Sequence, residues 1–131
     1  MKKIKLLLAL SLLFGLSSLA VFADTLSSDK DLIGSWFLEY TKKSPEDSEK
    51  KPMGMTWVFS NNQLTQKDIP QVRGNPYDAP AVDYIVEDGN LKVSILGRAG
   101  KFDVYSLVEK TDTAMVLKDN KYGTYMYFTK K

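Results

Sequence analysis

Residues 83–96, with the sequence DYIVEDGNLKVSIL, contain the strongest local fold signal in the chain. Two runs rich in apolar residues flank the pair Asp88-Gly89. An Asp-Gly pair favours the two-residue turn that joins antiparallel strands, because such turns need positive φ at both positions. The stretch therefore predicts a β-hairpin.

Short runs of the same kind lie on both sides of this hairpin, and no convincing amphipathic helix follows the N-terminal region. About eight short strands separated by turns predict an all-β, antiparallel, up-and-down barrel, because closure removes the exposed strand edges. A sandwich and a five-stranded oligonucleotide/oligosaccharide-binding barrel are the alternative architectures. The other predicted strands lie in residues 32–40, 55–60, 63–67, 102–108, 114–118 and 123–128.

The N-terminus has the layout of a secretory signal peptide. A basic segment ends at Lys5, and an apolar run from Leu6 to Leu16 follows it. Cleavage after Ala23 is favoured, with Ala20 as the alternative, and the apolar run is too short to favour a transmembrane anchor. The chain is therefore predicted to divide into a signal peptide, 1–23, and one domain, 24–131, that is periplasmic or secreted without a stable membrane anchor.

Removal of this leader changes the charge of the protein. The whole chain has 18 basic and 16 acidic residues, and Lys2, Lys3 and Lys5 leave with the signal. The mature domain then carries a net charge of −1, with both signs interspersed along the chain. We therefore predict no nucleic-acid partner.

The absence of two residue types excludes much catalytic and metal chemistry. The sequence has no His and no Cys, so it cannot form a Ser-His-Asp triad, a Cys-His pair, an imidazole metal site or a disulfide. The carboxylates are typical of surface charges, and Met53, Met55, Met115 and Met126 are more typical of core gap-fillers than of a copper site. The sequence predicts no catalytic residue, no metal and no cofactor, and hence a protein that is not an enzyme.

The ordered strand motifs resemble those of lipocalins and bacterial lipocalin-like domains. The similarity begins with Leu32-x-Gly34-x-Trp36, continues through Trp57-Val58-Phe59-Ser60 and the central hairpin, and ends with 123–128. It implies a calycin-type barrel with a ligand cavity open at one end. It also implies structural roles for Gly34 and Trp36, with Trp36 packed across the closed end.

Two features depart from that family. Many lipocalins place an arginine on the last strand, stacked over the tryptophan, whereas this chain has Lys130 and Lys131 there. Its arginines are Arg73 and Arg98, far from that position. The mature chain is also short and shows no C-terminal helix, so a small cavity, or one filled by the protein's own side chains, is the alternative to an open one.

The strand patterns predict a set of ligand-contacting side chains. Alternating positions on a strand share one face, and aromatic residues recur at such positions here. On the last strand, Met126 and Phe128 are the alternative inward pair. The predicted ligand-binding residues are Trp57, Phe59, Tyr84, Val93, Ile95, Phe102, Val104, Tyr125 and Tyr127.

Two irregular segments, Thr41–Gly54 and Pro70–Pro80, are predicted to be loops beside the barrel mouth. Together with the aromatic strands, they lead to two functional hypotheses. The first is an exported protein that binds a small, largely apolar molecule. The second is an exported interaction module, such as an enzyme inhibitor or envelope assembly factor, that contacts a protein partner through these loops.

Overall fold

The computed structural model describes Leu26 and residues 29–131, and the predicted signal peptide lies outside them. Residues 34–130 form a closed antiparallel barrel of eight strands in chain order, as the sequence predicted. A short 3-10 turn, Asp29–Asp31, precedes it. The strands are β1 (Gly34–Lys42), β2 (Lys51–Ser60), β3 (Gln63–Lys67), β4 (Val82–Glu87), β5 (Asn90–Ser94), β6 (Phe102–Lys110), β7 (Ala114–Asp119) and β8 (Tyr125–Lys130).

The tight turns follow directly from residue type. Asp88 and Gly89 have φ values of 55° and 78°, and Glu87 pairs with Asn90 across the hairpin. Asn61 and Asn62 take φ values of 53° and 62° between β2 and β3. Both pairs have the positive φ values that match the twist of antiparallel strands.

The barrel closes where β8 pairs with β1, with Leu38 opposite Phe128. The pairing of β1 with β2 and with β8 shifts register between Leu38 and Tyr40, which marks a β-bulge in β1. A second register shift separates Leu107 from Glu109 on β6. Such bulges change which face the following side chains occupy and increase the local twist.

The two ends of the barrel differ. Because consecutive strands are antiparallel, the connections 43–50, 68–81, 95–101 and 120–124 all leave from one end, which we call the loop end. The opposite end, the base, carries the short turns, together with the buried side chains of Leu26 and Leu32. Trp36 is fully buried there, and its Nε1–H donates to the Leu32 carbonyl oxygen at 3.0 Å.

The core fills the inside of the barrel with large side chains. Alternation along each strand sends one set of residues inward. The strand residues of this core are Trp36, Leu38, Met55, Trp57, Phe59, Leu64, Tyr84, Leu91, Val93, Tyr105, Leu107, Met115, Leu117 and Phe128.

Candidate functional site

A groove of about 590 Å³ lies at the loop end, between the β1–β2 connection and the start of β8. Its volume is within the range of small-molecule sites. The β1–β2 hairpin forms most of its wall because both strands continue past the bulge, with Thr41 paired to Lys51. The lining residues are Thr41, Lys42, Lys43, Asp47, Glu49, Lys50, Lys51, Pro52 and Thr124.

The groove has a net positive lining, with four lysines and two carboxylates. Two of the lysines also contact aromatic rings on the outer wall. Lys50 Nζ lies 4.7 Å from the Tyr40 ring centroid, and Lys42 Nζ lies 5.6 Å from that of Tyr127. These contacts hold both lysine side chains along the wall of the groove.

Half-buried apolar side chains pack against the barrel core toward the loop end. Thr41, on the groove wall, pairs with Met126 of β8. Met126, Met53 and Val82 lie near the loop-end termini of their strands, and each packs against the core without being fully buried. Ile69, from the β3–β4 connection, packs there as well. Methionine is flexible and unbranched, so this region can adapt to the shape of a bound molecule.

Aromatic rings from several strands meet below this region. The Trp57 ring makes edge-to-face contacts with Phe128, at 5.1 Å between centroids, and with Tyr105, at 5.5 Å. Phe59 makes the same kind of contact with Tyr84, at 5.0 Å. Because Trp57, Tyr105 and Phe128 come from three different strands, they fill the middle of the barrel and form a floor beneath its loop-end half.

One polar atom in this floor lacks a protein partner. Trp57 is 2% exposed, and no acceptor among the described residues meets its Nε1–H. By contrast, the indole N–H of Trp36, directly opposite on β1, donates to the Leu32 carbonyl oxygen. A buried donor without a partner costs about 1–3 kcal/mol, so such a group is usually satisfied by a water molecule or a ligand.

Tyr105 supplies a second polar group at this level. Burial raises the pKa of its hydroxyl, and the nearby carboxylates of Asp103 and Asp119 raise it further. Tyr105 is opposite Asp119 on β7. The phenol therefore stays protonated at neutral pH and can donate a hydrogen bond.

Four of the predicted contact residues lie on the inner face of the barrel. Trp57, Phe59, Tyr84 and Val93 are buried, and the first three belong to the aromatic contacts described above. Val93 pairs with Asp103 of β6 and extends the inner face toward the loop end. Whether these side chains contact a ligand stays a prediction.

The alternation predicted on β6 has the correct period but the opposite phase. Tyr105 and Leu107 are buried, whereas Phe102 is 41% exposed and Val104 is half-buried on the outer face. Asp103 therefore takes an inward position next to the loop end, where water reaches its carboxylate. Sequence analysis missed Tyr105, although Tyr105-x-Leu107 is an equally good apolar pair.

On β8 the inward side chains are those of Met126 and Phe128, the alternative pair given in the sequence analysis. Phe128 is buried and Met126 packs against the core, so Tyr125 and Tyr127 lie on the outer face. The Tyr127 ring stacks on Tyr40 at 4.7 Å between centroids. Neither tyrosine lines the interior.

Ile95 lies just beyond the end of β5 and is half-buried. Its backbone N–H donates to the Lys101 carbonyl oxygen at 3.1 Å. Together with Leu96 and Arg98 it lines a shallow surface groove of about 470 Å³. The structure therefore separates Ile95 from the buried aromatic residues.

The described residues also bear on metal binding and on membrane crossing. No group of His, Cys, Asp or Glu side chains among them is arranged to hold a metal ion. In the same part of the chain, no helix has the length and apolar character needed to cross a membrane.

No protein-family model and no curated protein matches the sequence. Among solved structures, the chain is similar to the crystal structure of an uncharacterized protein from Bacteroides eggerthii DSM 20697, determined at 2.60 Å. The TM-score is 0.60 with 15% identity, over 77% of this chain and 100% of that one. The likeness concerns the fold alone. An eight-stranded antiparallel barrel of this kind is consistent with a calycin-like fold.

Proposed function

We propose that this chain is an exported, lipocalin-like binding protein that takes a small, largely apolar molecule into the loop-end half of its barrel. The observation that carries the proposal is the unpartnered Nε1–H of Trp57 in an apolar interior. A ligand with one hydrogen-bond acceptor would satisfy this donor while its remaining surface contacts the aromatic floor.

The surroundings of Trp57 favour a ligand with mostly apolar surface. Rings of Tyr105 and Phe128 flank the indole, and the side chains toward the loop end include Met53 and Met126. The protonated hydroxyl of Tyr105 offers a second donor. Few polar groups in an apolar wall are typical of sites that orient a ligand by one or two hydrogen bonds.

The groove at the loop end provides the entrance. It opens beside Thr41, whose β8 neighbour is the half-buried Met126. Displacement of Met126 and Ile69 would connect the groove with the floor at Trp57. Both residues are only partly buried, so their displacement costs less than opening the fully packed base.

The direct test is native mass spectrometry of the exported protein, purified gently from the envelope of a cell that produces it. We expect a reproducible added mass that disappears on denaturation. A bare protein mass under these conditions, with no uptake of added apolar compounds, would contradict the proposal.

A second experiment tests the role of the indole N–H. The probe is prodan, a naphthyl ketone, and its matched control is 2-dimethylaminonaphthalene, which has a similar ring but no carbonyl acceptor. Trp57→Phe keeps an aromatic ring and removes the N–H. We expect it to weaken prodan binding about fivefold to tenfold and to leave the control probe nearly unchanged. Equal losses for both probes would show that Trp57 provides only packing.

The second candidate is an exported interaction module that contacts a protein partner through its loops. The contact of Trp57 with both Tyr105 and Phe128 favours it, because rings that fill the middle of the barrel leave less room for a ligand. Replacement of Lys42, Lys43, Arg73 or Tyr77 would then weaken capture of a defined partner while leaving probe binding intact. Probe binding that depends on Trp57, with no partner captured, would eliminate this candidate.

A further inference from the structure

Three neighbouring connections at the loop end carry exposed apolar residues. Val72 is fully exposed in the β3–β4 connection, Leu96 is 65% exposed in the β5–β6 connection, and Tyr122 is 74% exposed in the β7–β8 connection. Toward the base, the exposed large hydrophobic residues among those described are less exposed than these three: Ile33 at 45%, Ile85 at 43% and Val108 at 38%. Exposed apolar side chains are therefore concentrated at the loop end.

Each of these apolar residues has a cation close by in sequence. Arg73 follows Val72, Arg98 lies two residues after Leu96, and Lys121 precedes Tyr122. Arg73 and Arg98 are the two arginines of the whole sequence. We call these three pairs of apolar and cationic residues the loop tips.

The loop-tip cations make no salt bridge to a carboxylate within the described part of the chain. Nearby carboxylates accept backbone hydrogen bonds instead. Asp78 Oδ1 accepts from the Asp68 N–H at 3.0 Å, and Asp119 Oδ1 accepts from the Lys121 N–H at 2.8 Å. The positive charges of the loop tips are therefore available to an external anion.

We propose that the loop end docks on an anionic phospholipid surface. The apolar side chains of the loop tips enter the interfacial region, and the neighbouring cations contact lipid phosphates. An apolar residue beside a long cationic side chain suits this boundary, because the apolar part loses contact with water while the charge stays at the level of the headgroups.

The arrangement favours a lipid surface over a protein partner. A protein interface usually has a contiguous core of buried apolar residues with a polar rim. Here the apolar residues sit singly on separate connections around the barrel, each with its own cation. A fluid surface accommodates separated contacts without a matching shape. The docking also brings the groove to the membrane, although it does not depend on what the barrel binds.

The test is co-sedimentation of the exported protein with vesicles of phosphatidylcholine alone or mixed with phosphatidylglycerol. Mass spectrometry first verifies removal of the apolar leader, because residues 6–16 would bind lipid by themselves. We expect binding to the mixed vesicles, weaker binding to phosphatidylcholine, and a decrease as salt is raised.

Variants separate the two parts of the loop tips. Arg73→Gln combined with Arg98→Gln should lower the partition coefficient about 25-fold, or about fivefold for each arginine. Val72→Ser combined with Leu96→Ser and Tyr122→Ser should lower it at least about tenfold. The matched control combines Ile33→Ser with Val108→Ser, which removes exposed apolar residues from the base and the barrel wall, and should bind as the unchanged protein does.

Three results would overturn the proposal: no binding to the anionic vesicles, equal losses in the loop-tip and control variants, or capture of a defined protein partner that depends on the loop tips without any vesicle binding. Circular dichroism of each variant verifies that the fold is intact. Prodan binding, measured on the same samples, tests the interior site independently, so failure of one proposal is distinguishable from failure of the other.

Discussion

Lys130 covers Trp36 at the base of the barrel. Its Nζ lies 4.6 Å from the centroid of the indole ring and donates to the Ile33 carbonyl oxygen at 2.7 Å. Lys110 approaches the same ring, at 5.4 Å. Burial lowers the pKa of Lys130, and the charge of Lys110 lowers it further. A lysine thus occupies the position over the tryptophan where many lipocalins have an arginine.

Replacement of this lysine should destabilise the base. We expect Lys130→Met to lower the free energy of unfolding by about 1–2 kcal/mol, because the cation–π contact and the hydrogen bond to Ile33 are both lost. Lys130→Arg should lose much less, since a guanidinium can make both contacts. Urea denaturation measures the difference, with the exposed Lys101→Met as control. A loss no larger than that of the control would show that the contact contributes nothing.

Gly34 lies beneath the same lysine. A Cβ at Gly34 would come within 2.7 Å of Lys130 Nζ, whereas a Cβ at Gly97 would meet no atom within 4 Å. Both glycines have positive φ, so valine is strained at either position. We expect Gly34→Val to lower the melting temperature about 5 °C more than Gly97→Val, which corresponds to about 1 kcal/mol.

A double mutant isolates the contact between these two residues. In a Lys130→Ala background, the extra cost of Gly34→Val should disappear, because the atom that the valine displaces is gone. Equal melting temperatures for the two glycine variants in the unchanged background would contradict this account of the base.

The turns and strand order could be predicted from sequence because they depend on local chemistry. Asp88-Gly89 and Asn61-Asn62 tolerate positive φ, and that property alone places two hairpins. Strand facing was harder. On β6 both alternations contain apolar residues, and the inward Asp103 is tolerated because it lies at the loop end.

The candidate site was predictable only in part, for a similar reason. Trp57 was identified from its strand pattern, but its unpartnered N–H depends on packing against Tyr105 and Phe128, which are far away in sequence. Tyr127 faces outward, where it stacks on Tyr40. Local alternation does not reveal such a contact, because the bulge before Tyr40 sets the face on which Tyr40 lies.

Tyr105 should make stability depend on alkaline pH. Its folded-state pKa is raised above the ordinary value of 10.0, so the folded protein retains a proton that the unfolded chain releases. The stabilisation is fully present below pH 10 and decreases as pH rises from there toward the folded-state pKa. We expect Tyr105→Phe to reduce the loss of stability between pH 9 and pH 11, a range that brackets the ordinary pKa of tyrosine.

Urea denaturation at several pH values measures this dependence. Lysines also titrate in this range, so the informative quantity is the difference between each variant and the unchanged protein. Tyr122→Phe is the control, because that ring is exposed. Identical pH profiles for the Tyr105 and Tyr122 variants would contradict the burial of a neutral phenol.

The seam between β3 and β4 should be the first part of the barrel to open. Two register pairs join these strands, Gln63 with Asp83 and Leu64 with Val82, whereas seven join β1 to β2. We expect the Tyr84 amide, which donates to the Asn62 carbonyl oxygen, to exchange its hydrogen faster than the amides of the Trp36–Trp57 region. Hydrogen exchange measured by NMR gives both rates.

Hydrogen bonds hold the connection 68–81 beside this seam, and the one that a side chain makes can be removed by substitution. Ile69 and Tyr77 exchange two backbone hydrogen bonds, and Asp78 Oδ1 accepts from the Asp68 N–H. Asp78→Ala should accelerate exchange of the Ile69 and Tyr77 amides about fivefold.

Because Ile69 packs against the core beneath the loop end, the same variant should speed uptake of prodan if molecules enter there. Asp112→Ala, at the base, is the matched control and should change neither rate. Faster amide exchange with unchanged uptake would show that entry through the groove does not require displacement of Ile69.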